Sequence, residues 1–268
     1  MKILMHILLC AVFSYGYEVV NGTAAVLEVD ASTQKLLKES GPLPLLAHPK
    51  DPNKRIAFVA VPYRQSEDID LVRIVNEKKE LVRLHVRQGD YKKETLSVDP
   101  AHVSPPKEAL PRIQAEREEA MALYGTFTPT RYWNAPFEFP MQSVITSDFG
   151  NARVFNDTLK SYHSGTDFRA AVGTPIVATN EGVVVLAKER YYAGGSVILD
   201  HGEGVYSVYY HLSSLPHPVG ARVKKGEVVG LSGASGRVTG PHLHFGFMVQ
   251  GVPIDPLDFI AKVKALFE

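Results

Sequence analysis

Pro241-His242-Leu243-His244-Phe245-Gly246-Phe247 reads as a buried strand opening from a loop. Residues i and i+2 of a strand point to one face, so His242 and His244 can reach one site from one strand. Some eighty residues upstream stands His163-Ser164-Gly165-Thr166-Asp167. Its histidine and aspartate are four apart around a glycine, a spacing that suits a loop entering a strand. Imidazole, imidazole and carboxylate are the donors of a reactive zinc site: three protein ligands leave the fourth tetrahedral position for water or substrate. Two neutral imidazoles and one carboxylate also leave the ion a net positive charge, which favours acidifying bound water and polarising a carbonyl. A further histidine, His211, lies between the two segments in Tyr209-Tyr210-His211-Leu212-Ser213. Histidine titrates in the range that proton transfer needs, so imidazoles outside the ligand set are candidates for acid–base work. The residues alone leave open whether His242 or His244 is the ligand.

The region around these motifs is nearly all β. Thr174–Ala178, Gly182–Ala187, Ser196–Asp200 and Val205–Tyr210 are short β-branched or aromatic runs separated by tight turns, with Gly202-Glu203-Gly204 as a hairpin. The expected arrangement is antiparallel, and only the tail, Pro256 to Phe267, looks helical. Residues 17–103 also read as strands, among them Val26–Val29, Ile56–Val61 and Leu81–Val86, and suggest a small β-sandwich-like domain. It shows no catalytic cluster: His48, His85 and His102 are isolated. Pro105-Pro106 ends that region. Lys107 to Tyr124 then reads as a connector helix stopped by Gly125, with Ile113, Ala120, Leu123 and Tyr124 on one stripe suited to docking the two domains. The expected organisation is a signal peptide over 1–16, an N-terminal β domain over 17–103, a helical connector over 104–130 and a domain carrying the candidate zinc site over 131–268.

The 268 residues are 45% hydrophobic, enough for one large or two modest cores. Lys plus Arg and Asp plus Glu both total 29, so no general basic field exists for nucleic acid. Lys2, the apolar run Ile3–Phe13 and Ser14-Tyr15-Gly16 match a secretory signal peptide with cleavage after Gly16, and the run is too short for stable membrane insertion. Cys10, the only cysteine, would leave with it, so no disulfide is expected. Asn21-Gly22-Thr23 matches a glycosylation sequon, a weak three-residue pattern. His201 and His217 sit at turns and receive no role.

At Ser147-Asp148-Phe149-Gly150, His163-x-Gly165-x-Asp167, Gly173-Thr174-Pro175-Ile176-Val177-Ala178, Tyr210-His211-Leu212-Ser213, Gly226-Glu227-x-x-Gly230, Ser232-Gly233-x-Ser235-Gly236 and Pro241-His242-Leu243-His244-Phe245, the chain resembles the lysostaphin/LytM-type zinc endopeptidases. The resemblance runs from about Ser147 to Phe259. It implies a LytM-like catalytic core, a groove-bearing antiparallel sheet built on a duplicated hybrid motif, with one Zn2+ held by His163, Asp167 and His244. It implies His211 and His242 as catalytic histidines that do not bind the metal, and Asn151 to Tyr162 as a groove wall. The activity it implies is that of a hydrolase, a metalloprotease cutting D-amino-acid cross-links of peptidoglycan: D,D-endopeptidase and, as a second capacity, D,D-carboxypeptidase action. Cell-wall remodelling or cell-shape control follows as the role, in the periplasm or outside a bacterium, on peptidoglycan stem peptides and alongside cell-wall-remodelling partner proteins. Gly89–Val98 looks like a segment of the N-terminal β domains of Gram-negative members, in which such regions often occlude the groove. The alternative is a non-catalytic LytM-like activator of cell-wall amidases, relatives that typically lack one or more zinc ligands.

Overall fold

The computed structural model describes residues 15–96, 105–155 and 159–268. The expected signal segment up to residue 14, with Cys10, lies outside them, as does His102. Tyr15 and Gly16 form the first two rungs of the Tyr15–Val20 strand, opposite Val82 and Arg83. No helix among the described residues is long and apolar enough to cross a membrane.

The upstream region is the expected sandwich. One sheet has five strands: Tyr15–Val20, Lys78–Arg87, Ile69–Val75, Thr33–Lys38 and Gly41–Leu43, in that spatial order. Its first pair is parallel, the others antiparallel. The facing sheet has three: Ala24–Asp30, Lys54–Ala60 and Leu46–Ala47. Ile56-Ala57-Phe58-Val59-Ala60 is apolar at every position because this strand is buried on both faces. Ala57 and Val59 point into the sandwich with Leu27, Leu71 and Leu84. Ile56, Phe58 and Ala60 point the other way, into a core shared with Trp133, Phe137, Phe247 and Phe259. The upstream and downstream halves are therefore joined through a continuous apolar layer. Asn21 is buried within the upstream region, its amide bonded to Tyr63 and Gln88, so the sequon is not a presented acceptor.

The downstream half is built on a ten-stranded sheet whose central order is Ile145–Ser147, Thr166–Arg169, His242–Val249, Val205–Ser214, Gly194–Asp200, Gly182–Arg190 and Arg222–Val223, with antiparallel pairings throughout. The tail helix, Pro256–Ala265, is capped by Asp255 and buries Phe259, Ile260 and Val263 on the shared core. The connector forms a helical turn at Lys107–Ala109 and then α1, Leu110–Tyr124. Its apolar docking is at the C-terminal end, where Ala120 and Tyr124 pack on Leu186, Ile198, Tyr206 and Val208, while mid-helix Glu116 accepts from Arg190 Nη2 and Tyr191 N. A third sheet departs from the expected antiparallel pattern. Ala152–Phe155 pairs antiparallel with Leu159–Tyr162, but parallel with Lys93–Leu96 from the upstream region.

Candidate metal centre

Register places the site. Asp167 pairs with His244, Arg169 with His242, and Tyr210 with His244 across three adjacent strands. Directly opposed residues share a face, so Asp167, Arg169, His242, His244 and Tyr210 project from one side of the sheet. Their neighbours Phe168, Leu243, Phe245 and Tyr209 project from the other side into the core. The polar–apolar alternation of each strand thus separates a reactive face from a packed one.

His211 breaks this alternation. As the neighbour of Tyr210 it would point into the core. Instead it adopts φ +63°, in the left-handed region, at a bulge where Tyr210 and His211 together oppose the single residue between Gly195 and Val197. A bulge re-aims a side chain, and a non-glycine residue held at positive φ stores strain of roughly 1–3 kcal/mol, a cost that clusters at functional positions. The turn brings the His211 ring to 4.7 Å from that of His242 and 6.1 Å from that of His244, centroid to centroid.

His163 Nε2, Asp167 Oδ1 and His244 Nδ1 form a nearly equilateral triangle with separations of 2.8, 2.9 and 2.9 Å. Among the described residues these three form the group able to hold a metal ion, and all three are buried. The donor chemistry calls for a cation. The Nδ1 of His163 is 2.9 Å from the carbonyl oxygen of Asp148, to which it donates, so the Nε2 of the neutral ring carries no proton. The triangle then contains at most one proton, on His244, among three lone-pair atoms pointing at each other. Zinc–nitrogen and zinc–oxygen bonds of about 2.0–2.2 Å are long enough for one ion to touch all three corners from one side. Burial would raise the Asp167 carboxyl, but hydrogen bonds and charge from His163 and His244, whenever those rings are protonated, hold it well below the usual range. Burial pushes His244 down to about 4. Both side chains are therefore in their ligating forms at neutral pH.

The two remaining histidines stand beside the triangle. The Nε2 of His242 is 3.8 Å from Asp167 Oδ2, outside hydrogen-bond range. Its Nδ1 donates to Gly240 O at 2.8 Å, and that of His211 to Ser235 O at 2.8 Å. Each ring thereby keeps a bare Nε2 to accept a proton. Burial, then the neighbouring His242 and His244, push His211 down to about 3, so it rests neutral.

All five predicted residues line one groove of about 800 Å³, together with Arg153, Ser161 and Tyr162 of the expected wall and Ile113, Glu116, Arg117 and Met121 of α1. Several further residues support the site, of which Arg153 carried no sequence signal. Tyr210 lies flat on His244, with centroids 5.3 Å apart and planes 3° from parallel, and its hydroxyl meets that of Tyr124 from α1 at 3.0 Å. Arg153 Nη2 donates to Asp167 Oδ2 at 2.8 Å. Gly165 is required for close approach: a Cβ there would lie 2.5 Å from Phe245 O and 2.7 Å from His244 Nε2. His201 and His217 lie outside this groove. His201 is fully buried between Glu181 O and Ser207 Oγ, and His217 bonds Val228 O.

This fold and donor set define a β metallopeptidase-type site. Residues 161–256 match Peptidase family M23. The solved structure of a putative peptidase M23 from Pseudomonas aeruginosa superposes with a TM-score of 0.71 at 28% identity, covering 90% of this chain and 94% of that one. The peptidoglycan DD-endopeptidase ShyA of Vibrio cholerae is 40% identical over 44% of this chain and 28% of its own length. The DD-carboxypeptidase/endopeptidase Mpg of Neisseria meningitidis is 39% identical over 35% of this chain and 22% of its own length. The match thus spans under a third of each of these two relatives and concerns the peptidase region.

Proposed function

We propose that this chain is a zinc metallopeptidase that hydrolyses D-amino-acid cross-links of peptidoglycan in the periplasm, as a D,D-endopeptidase with accompanying D,D-carboxypeptidase action. The carrying observation is the convergence of His163, Asp167 and His244 on one point, with His211 and His242 beside it in an open groove. The names of the matched relatives support the substrate class. A complete donor set with both extra histidines argues against a non-catalytic amidase activator. Residues 131–268 are the proposed peptidase domain.

His163 Nε2, Asp167 Oδ1 and His244 Nδ1 would hold the ion. When bound, zinc supplies Lewis-acid chemistry, polarising a carbonyl and making water a stronger acid. The protein does the rest. Tyr210, stacked on His244, and Gly165, beneath it, fix that ring. The bare Nε2 of His211 or His242 takes a proton from the attacking water, and one of the pair returns it to the leaving amine. The neutral resting state of His211 suits acceptance. The imidazolium then formed stands beside the developing oxyanion and stabilises it.

Mass spectrometry of products from defined cross-linked muropeptide dimers tests the proposal. Zinc-loaded protein should release monomers by cutting the D,D bond, and zinc-depleted protein should not. Intact dimers with zinc-loaded protein would contradict it.

A further inference from the structure

The Lys93–Leu96 strand belongs to the upstream region in sequence, yet it pairs in parallel with the groove-wall strand Ala152–Phe155. That pairing delivers one carboxylate, Glu94, to the groove. Glu94 Oε1 accepts from Asn151 Nδ2 at 2.6 Å and Ser147 Oγ at 2.9 Å, and Oε2 from Ser147 Oγ at 3.0 Å and Arg153 Nε at 3.2 Å. Two of these partners lead directly to metal-site side chains.

The first route is through Ser147. Its oxygen accepts from Arg153 Nη2 at 2.9 Å and lies 3.0 Å from His163 Nδ1. The hydroxyl has one proton, which goes to Glu94. Its lone pairs then face Arg153 and the N–H of His163, which Asp148 O also accepts. This arrangement keeps the His163 proton on Nδ1 and leaves Nε2 bare at the triangle. The second route is through Arg153, whose guanidinium is shared between Glu94 and Asp167. Without the Glu94 charge, the full cation bears on Asp167 and draws electron density from its ligating oxygen.

We propose that Glu94 is a positioning residue of the metal centre, acting on His163 through Ser147 and on Asp167 through Arg153. The proposal rests on reading His163, Asp167 and His244 as the zinc site. It makes the upstream region a structural contributor to that site, and the segment 131–268 alone lacks this carboxylate.

The test uses full-length protein stripped of zinc, with zinc affinity read by competition against a chromophoric chelator. Outer-shell partners of this kind typically contribute about 10–100-fold to metal affinity. Glu94→Gln, which keeps shape and loses charge, should weaken zinc binding by that factor while the melting temperature of the zinc-free protein is kept. Glu94→Asp should recover part of the loss, and Lys93→Gln, an exposed neighbour on the same strand, should bind as wild type. If Glu94→Gln destabilises the zinc-free protein, Glu94→Asp carries the test, with an affinity expected below wild type. Wild-type affinity in both Glu94 variants overturns the proposal, and faster turnover in Glu94→Gln overturns it too, by making Glu94 an obstruction. Failure of the wild type to bind zinc would instead overturn the underlying reading of the site.

Discussion

Gly165→Ala adds one methyl group to the back of the metal centre. The backbone at Gly165 is not in the left-handed region, so alanine meets no dihedral barrier. The obstacle is contact. The new Cβ would stand 2.5 Å from the Phe245 carbonyl oxygen, 2.7 Å from His244 Nε2 and 2.8 Å from His244 Cε1. Relaxing these contacts to roughly 3.4 Å requires shifts of about 0.6–0.9 Å, whereas reactive geometry tolerates about 0.5 Å. The Thr166–Arg169 and His242–Val249 strands are packed on the core and resist separation. The motion therefore falls largely on the His244 ring, which is already confined by Tyr210. Overpacking of this kind costs about 1–3 kcal/mol, and about 10-fold in affinity follows from each 1.4 kcal/mol expressed at the metal. We expect zinc affinity to drop by roughly 10–100-fold, turnover to fall with it, and the melting temperature to drop by about 2–10 °C. Chelator competition, muropeptide release and calorimetry read the three. An alanine variant with wild-type zinc affinity, turnover and melting temperature would refute the close-approach argument.

Other expectations follow from the same geometry. His244→Ala and Asp167→Ala should lose metal and activity together, measured by zinc content and muropeptide release. His211→Ala should keep zinc yet lose about 100–10,000-fold in turnover, because it deletes a proton acceptor and not a donor to the ion; near-normal turnover would remove its assigned role. Burial pushes His201 down to about 4 from its ordinary 6.5. The unfolded chain therefore binds the extra proton first, so the His201 contribution is complete above pH 6.5 and declines as pH falls towards 4, by roughly 3 kcal/mol. The difference in melting temperature between wild type and His201→Asn should shrink across that window; a constant difference would contradict it. Phe58→Ala should cost about 3–5 kcal/mol, since Phe58 fills the layer joining the two halves against Trp133 and Phe259.

The strands and the residues of the candidate site were readable because their signals are local. His242-Leu243-His244 spells out a face, and the bulged Tyr210-His211 sits in a motif of its own. The residues themselves left His242 and His244 interchangeable. The structure separates them by register: His244 pairs with Asp167, whereas His242 pairs with Arg169, one rung further along. What the sequence hid depends on contacts between distant segments. The run Ile56–Ala60 announces burial on both faces but not that one face belongs to Trp133 and Phe259. Arg153 and Glu94 lie in stretches without metal-site spacing and meet only because a strand from residue 93 pairs with one from residue 152. α1 announces its docking stripe weakly because only its last turns bury apolar side chains on the sheet, and its middle is held by polar contacts from Glu116 to Arg190 and Tyr191.

Diffraction from zinc-soaked crystals, recorded on both sides of the zinc absorption edge, tests the central claim most directly. One anomalous peak should appear within bonding distance of His163 Nε2, Asp167 Oδ1 and His244 Nδ1, with no fourth side chain coordinating it. A peak elsewhere, or one capped by a fourth protein donor, would contradict the account.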